Sequence, residues 1–596
     1  MQVYEAPLRD MKFVLHELHQ DDGFGGLEAL SEFTPDLVDA ILDEAGRVAR
    51  EVLLPLNRSG DQEGCRLENG VVRTPAGFKE AYDQFREGGW CALASDAEWG
   101  GQGLPETVNK MTEEMICAAN VSFSLYPGLT HGATTAIEGF ATDELKQLYL
   151  PKLVSGEWSG TMCLTEAHCG TDLGMLRTKA VPQDDGSYKL TGSKIFISAG
   201  EHDLTGNIIH LVLARMQDAP PGVKGISLFL VPKYLPKSDG TPGPSNGIQC
   251  TAIEHKMGLK ASATCQLSFD ESVGWLVGRA HKGMEAMFRM MNTERVSVGV
   301  QGLGLGEAAY QAAVYYAKDR LQGRSLSGPK APDKPADPII VHPDVRRMLM
   351  TMRAYNEGCR ALCGWVSRAL DAERYSPDPE VKQRAGDFIA LMTPVVKALF
   401  TDMGFESANL AVQVYGGHGY ISESGVEQYV RDARIAMIYE GTNGIQALDL
   451  VGRKLGAHTG RYLRAFFHPV SNFLEDHAAD ESLANVIPGL AQAFGALQLS
   501  TGTIAQKGLK DPEEAGAAAT DYLRLLGLVA IGYCFAQSMK IARKRLAEGT
   551  DEPGFYRAKI STAQFFFDRL LPQATACFLA IKAGKRSMMA LGEDAF

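Results

Sequence analysis

The chain has 596 residues, of which 45% are apolar and 22% charged, and its 59 Lys and Arg are outnumbered by 72 Asp and Glu. This composition excludes a disordered or collagen-like chain, and a net charge of −13 argues against a nucleic-acid binder, which would carry a basic excess. At roughly 100–200 residues per domain, three or four domains are expected. The eleven cysteines form no CxxC pair and read as reduced thiols of a cytoplasmic protein. The opening MQVYEAPLRDMKFVLHEL carries Glu5, Arg9, Asp10 and Lys12 and has no apolar core, so it is not a signal peptide.

In chain order, residues 30–160 read as helical. Phe33-Thr34-Pro35-Asp36 opens a helix with Leu37, Ile41, Ala45 and Val48 on one face, and 141–144 opens another carrying Leu145, Leu148 and Leu150. From 161 to 272 short β-rich runs alternate with turn signals, at 189–191, 194–198, 208–214, 225–231 and 265–269. They predict a small antiparallel sandwich or barrel. Amphipathic helices return at 284–293, 306–319, 344–372 and 380–414, interrupted by a Pro-rich exposed loop at 325–338. A further helical block runs from about 461 to the end. Its apolar run 525–536 is too short for a bilayer and predicts a buried helix, so no membrane span is expected. The fold class is α+β. It comprises an N-terminal extension and helical domain (1–160), a small antiparallel β domain (161–275), a helical bundle (276–456) and an extra C-terminal helical domain (457–596).

Several motifs invite chemistry that the residues do not support. Gly302-Leu303-Gly304-Leu305-Gly306 follows a strand-like VSVGV, but Glu307 stands where a dinucleotide fingerprint needs its third small residue. Close helix packing explains these glycines better. Cys163, His168 and Cys169 match no zinc spacing, and neither HExxH nor GxSxG occurs, so no metal is expected. Two segments remain. Residues 163–172 (CLTEAHCGTD) combine hydroxyls, a glycine and backbone donors, as a phosphate or ring-edge site or as a simple turn. In 438–444 (IYEGTNG) Glu440 lies between helices, as a solvated helix end or as a desolvated base with a raised pKa.

Taken in this order and separation, the two segments resemble the acyl-CoA dehydrogenase family. Supporting stretches are WGGQGLP at 99–105, FATDELKQLYLPKLVSGE at 140–157, LTGSKIFIS at 190–198, KMG at 256–258, QVYGGHG at 413–419 and RDARIAMIYEGT at 431–442. Each is weak alone; in register over most of the chain they are specific. The resemblance implies FAD and α,β-dehydrogenation of an acyl-CoA thioester, with Glu440 as catalytic base and an electron-transfer flavoprotein as acceptor.

It also implies site residues. Met162, Leu164, Thr165, Gly170, Thr171, Phe196 and Ser198 should meet the flavin and pyrophosphate. Thr171 should also approach the CoA, and Phe196 stands where many members carry Trp. Arg320, Gln322, Gln413, Gly416 and Gly417 should reach FAD of a partner in a homodimer, with Thr442 and Asn443 completing the site. Gly444 replaces a Gln of some members. Asn292, Arg295, Gly441 and Arg453 should lie near substrate. The residues themselves leave Arg453 open to an (i, i+4) pair with Asp449, and Asn292 and Arg295 open to surface solvation.

The opening segment, the 325–338 loop and the tail exceed the core family. They resemble an extended subgroup, the bacterial 3-methylmercaptopropionyl-CoA dehydrogenases; a general medium- to long-chain enzyme is the alternative. An oxidase and a DNA-associated flavoprotein share the scaffold, but the charges of 457–596 are nearly balanced, against a DNA role.

Overall fold

The computed structural model describes residues 2–20 and 23–596, so Met1 of the opening segment lies outside it. The chain packs as two compact units. One comprises Met1–Gly46, Pro105–Glu114 and Val298–Phe596, and the other Arg47–Leu104 and Met115–Ser297.

The second unit is built on a β barrel. Its strands among the described residues are Trp158–Cys163, Lys179–Pro182, Tyr188–Ser198, Asn207–Met216, Ile226–Pro232, Ile248–Ile253 and Thr264–Val277. Thr264–Val277 pairs with Tyr188–Ser198, which pairs with Lys179–Pro182, then Asn207–Met216, then Ile226–Pro232, which returns to Thr264–Val277. The register of Thr264–Val277 shifts between Cys265 and Leu267 and between Phe269 and Ser272. Such bulges bend one long strand enough to serve two sides of a closed sheet. Leu190, Val212, Phe229 and Phe269 fill the interior.

Most pairings are antiparallel, as expected, but Trp158–Cys163 and Lys179–Pro182 run parallel to Asn207–Met216. Parallel neighbours are joined by long excursions, so turn signals cannot report them. Trp158–Cys163 is also buried at every position, so its sequence shows no alternation.

Two helical faces differ from the sequence reading. In Pro35–Val48 the buried stripe is Val38, Leu42, Ala45 and Val48, while Leu37 is exposed and Ile41 only half-buried. In Asp143–Val154, Leu145 and Leu150 are buried with Tyr149 and Leu153, whereas Leu148 points out. Both regions offer apolar residues on more than one phase, and the neighbouring elements decide which phase is covered.

The first unit is helical. Gly283–Asp319, whose residues from Val298 onward belong to this unit, is one continuous helix, so the strand-like 296–300 and the glycine run lie within it. A Cβ on Gly302 would come 2.6 Å from the Phe400 carbonyl oxygen, and one on Gly299 would come 2.8 Å from Val396 Cγ1. The glycines therefore let helix Pro379–Tyr415 approach, as expected. Pro343–Tyr375 packs on that helix. Arg461–Asp476, Ile487–Gly508, Pro512–Glu548, Pro553–Phe565 and Gln573–Ala583 form the C-terminal block. Pro379–Tyr420 and Pro512–Glu548 have the length and apolarity of membrane spans, but 78% and 83% of their most apolar windows are buried in the protein. Every residue of 525–536 is buried, as predicted.

The loop 325–338 is mostly exposed but ordered by one carboxylate. Asp337 accepts the backbone N–H groups of Ser325 (2.8 Å), Lys330 (2.9 Å) and Ala331 (2.7 Å). These hydrogen bonds hold its carboxyl down at about 2.

A buried ionic cluster ties the N-terminal segment to the C-terminal helices. Arg360 is 1% exposed and donates to Asp10, Glu114 (3.0 Å) and Glu307 (2.9 Å). Lys559 pairs with Asp10 and with Glu357 (2.9 Å). Burial pushes the Glu114 carboxyl up to about 7 despite Arg360. Removing the cation leaves three carboxylates without their shared partner. Arg360→Leu is therefore expected to cost about 3–5 kcal/mol in urea unfolding. An unchanged midpoint would show that the carboxylates simply take up protons.

Candidate active site

In the second unit, strand Trp158–Cys163 delivers Met162 and then breaks into the loop that carries Leu164, Thr165, Gly170 and Thr171. Two contacts stitch this loop to strand Tyr188–Ser198. The N–H of Ile195 donates to the Thr165 carbonyl (2.9 Å), and Lys194 Nζ donates to the Leu164 carbonyl (3.0 Å). Underneath lies Glu166, 5% exposed. It accepts from the backbone of Arg177 (2.7 Å) and Thr178 (3.0 Å), the Thr178 hydroxyl (2.7 Å) and Lys194 Nζ (2.9 Å). Burial alone would raise its carboxyl. The Lys194 charge and these donors outweigh burial and hold it at about 2.

The same unit exposes Gly170 and Thr171, half-buries Leu164, Thr165 and Ser198, and leaves Met162 almost covered. Phe196 is 59% exposed at φ +59°, a left-handed conformation that costs a non-glycine residue on the order of 1 kcal/mol or more. A strained backbone that shows an aromatic ring to the surface is a feature of binding sites rather than of cores. Arg295 is buried in this unit and donates to Asn292 Oδ1 (3.2 Å), while Asn292 itself is exposed. Of that pair, only Asn292 follows the surface alternative.

In the first unit, Glu440 occupies a turn between the short helix Arg434–Met437 and helix Asn443–Asp449. Glu440 has φ +56° and Gly441 φ +84°, so two successive residues are left-handed. Thr442 caps the second helix, its carbonyl accepting the N–H groups of Ile445 (2.8 Å) and Gln446 (3.0 Å). The turn is pinned at three places. The Tyr439 hydroxyl donates to Gln301, and Gln446 Nε2 donates to the carbonyls of Glu440 (3.3 Å) and Gly441 (3.1 Å). Asn443 accepts from Lys397 Nζ (2.8 Å) and donates to Asp402 (2.8 Å) and the Thr401 hydroxyl (3.0 Å). The Asn443 amide is thus committed to helix Pro379–Tyr415.

Arg453 forms the (i, i+4) pair with Asp449, and its side chain is 64% exposed.

The remaining predicted residues gather at the ends of two helices. Tyr316 stacks on Tyr415 with ring centroids 4.1 Å apart, and its hydroxyl meets His418 Nδ1 at 2.9 Å. Tyr316 thus joins the end of the helix that precedes Arg320 and Gln322 to the end that carries Gln413, Gly416 and Gly417. Gln413, Gly416 and Gly417 are exposed, and a Cβ at either glycine would meet nothing within 4 Å. Twelve residues separate Thr401 from Gln413 on one helix, so this group lies about 18 Å from the Asn443 anchor.

Sequence reasoning assigned no role to Lys194, Gln301, Lys397 or Gln446. Lys194 left a signal, a charged residue in the inward phase of Leu190. Lys397 left none, because its partner Asn443 is distant in sequence, and Gln446 lies five and six residues from its partners, a spacing that marks no hydrogen bond by itself. Glu166, His168 and Cys169 bring possible ligand atoms within 4.8 Å of one another. However, both Glu166 oxygens already serve as acceptors for nitrogen and hydroxyl donors.

Four family descriptions match in succession: "Acyl-CoA dehydrogenase, N-terminal domain" over 37–157, "middle domain" over 161–272, "C-terminal domain" over 281–455, and "Acetyl-CoA dehydrogenase C-terminal like" over 466–592. The chain is 44% identical to 3-methylmercaptopropionyl-CoA dehydrogenase of Ruegeria pomeroyi, covering 96% of this chain and 97% of that protein. It is 36% identical to a butyryl-CoA dehydrogenase of Syntrophomonas wolfei, covering 100% and 99%. In fold it resembles an acyl-CoA dehydrogenase of Bacillus anthracis solved with FAD, with a TM-score of 0.74 at 21% identity, covering 100% and 94%. The chain belongs to the acyl-CoA dehydrogenase family and is an FAD-dependent oxidoreductase acting on the CH–CH bond of an acyl-CoA.

Proposed function

We propose that this enzyme oxidises 3-methylmercaptopropionyl-CoA to its 2-enoyl thioester, with Glu440 as the base. The observation that carries the substrate is the 44% identity to the protein of that name over 96% of this chain.

The residues suit the cofactor. Phe196 offers an exposed ring on a strained backbone, and Gly416 and Gly417 leave open space where side chains would stand. Met162, Leu164, Thr165, Gly170, Thr171 and Ser198 would hold it with Phe196. Arg320, Gln322, Gln413, Gly416 and Gly417 would serve the cofactor of a partner in a homodimer, with Thr442 and Asn443. The separation of about 18 Å along Pro379–Tyr415 supports assigning these groups to different parts of the cofactor. When bound, FAD supplies the acceptor for the β-hydride.

The Glu440 carboxylate accepts the α-proton, and the C–H pair left behind forms the new double bond as the β-hydride departs. A carboxylate is a weak base for such a proton, so the thioester oxygen needs hydrogen-bond donors for its developing charge; we assign one to the Glu440 backbone N–H. Asn292, Arg295, Thr171, Gly441 and Arg453 would orient the acyl-CoA. Electrons would pass to an electron-transfer flavoprotein, and the location would be cytoplasmic, within dimethylsulfoniopropionate degradation. The four-domain division at 160, 275 and 456 belongs to this reading.

The test is a side-by-side kcat/KM series with the thioether, C4, C5, C8 and C16 thioesters. Sulfur replaces one methylene in this substrate, and an apolar pocket discriminates one methylene by about 1–3 kcal/mol. The thioether is expected to lead, with C4 and C5 within about 10–200-fold. A maximum at C4 would favour a butyryl-CoA enzyme, the reading motivated by the 36% identical full-length relative. A maximum at C8 or longer would overturn both.

A further inference from the structure

We infer that Gln446 is a positioning residue for the reaction, acting through the Glu440–Gly441 turn. The inference rests on the reading of Glu440 as base.

Gln446 is 1% exposed, on the first turns of helix Asn443–Asp449. Its amide is used on one side only. Nε2 donates to two successive carbonyls, of Glu440 at 3.3 Å and Gly441 at 3.1 Å. Oε1 is buried and has no hydrogen-bond partner. The orientation of the amide is set by this environment, because turning it over would aim a third oxygen at two carbonyl oxygens.

A buried acceptor without a partner costs about 1–3 kcal/mol. For stability alone, an unbranched apolar side chain of the same length would serve at least as well. What Gln supplies and an apolar residue cannot is a pair of N–H groups converging on the turn. That turn needs them. Glu440 at φ +56° is followed by Gly441 at φ +84°, and a strained non-glycine conformation persists only where surrounding contacts over-determine it. Tyr439 is tied to Gln301 on one side of Glu440, and Asn443 is locked to Lys397, Thr401 and Asp402 on the other. These contacts fix the ends of the segment, whereas Gln446 alone among the hydrogen bonds named above fixes the two peptide carbonyls at its apex. Without it the peptide after Glu440 can rotate, and the carboxylate moves with it.

The test is Gln446→Met, which keeps length and burial, removes both donors and also removes the orphan oxygen. Purified holoenzyme is expected to keep its FAD content, its melting temperature and its KM. The rate constant for flavin bleaching by acyl-CoA should fall about 10–100-fold, the scale of a misplacement near 1 Å. An α-deuterated substrate should show an increased isotope effect on bleaching, because proton removal is the impaired step. A merely structural role would instead lower the melting temperature or FAD content and leave the bleaching of the folded fraction at the parental rate; that result overturns the inference. Glu440→Gln, run in parallel, separates the two readings. If Glu440→Gln abolishes bleaching while Gln446→Met does not slow it, only the role of Gln446 fails. If Glu440→Gln bleaches normally, the base assignment itself is wrong.

Discussion

Glu440→Gln is expected to bind FAD and acyl-CoA normally and to lose at least about a thousandfold in kcat, equivalent to about 4 kcal/mol of barrier. Gln preserves the size of the side chain, and hydrogen bonds of Tyr439, Asn443 and Gln446 hold the turn that presents it. Proton acceptance is therefore the property lost. Stopped-flow bleaching with saturating acyl-CoA measures it directly. Turnover within tenfold of the parent would remove Glu440 from the base role.

Glu166→Gln is expected to damage the 164–172 loop proposed to hold the cofactor. Burial already lowers the Lys194 ammonium pKa from its ordinary value, and without the carboxylate this fully buried group would be left unpaired; breaking such a pair costs about 3–5 kcal/mol. Because Lys194 also holds the Leu164 carbonyl, the 164–172 loop should loosen and FAD content should fall before the barrel itself unfolds. The pH dependence has a definite sign. The Glu166 carboxyl is held at about 2, below its ordinary 4.5. The stability it contributes is complete above about 4.5 and is lost as pH falls through about 2. Retention of flavin from pH 7 down to 2 should therefore decline over that lower window in the parent, and the mutant should lack this step. A mutant that keeps full flavin content at pH 7 would show that the ion pair does not organise the loop.

Local patterns carried much of the architecture. Helical periodicity outlined the segments after 280 and most of those before 160, although Arg66–Glu68 and Val71–Arg73 there form a hairpin that the helical reading missed, and alternating β runs bounded by turns marked the middle of the chain. The glycines of 302–306 were legible as packing residues because Glu307 spoiled the alternative. The motif CLTEAHCGTD and the motif IYEGTNG located both segments proposed for the site. These signals are short-range, and a single sequence expresses them fully.

What tertiary structure decided was long-range. Strand Trp158–Cys163 is buried on both faces and lies parallel to a partner more than forty residues away in sequence, so neither alternation nor a hairpin turn announces it. The covered face of Pro35–Val48 was chosen by its neighbours from two available apolar phases. Arg453 takes the (i, i+4) pair with Asp449 that its spacing allowed. Lys194 became the partner of Glu166 only because distant backbone segments meet there, whereas Gln446, six residues on, reaches the Glu440 carbonyl through the left-handed turn at 440–441. A residue's type and spacing set what it is able to bond. Which of those bonds forms depends on which groups burial has already deprived of water, and only the packed chain determines that.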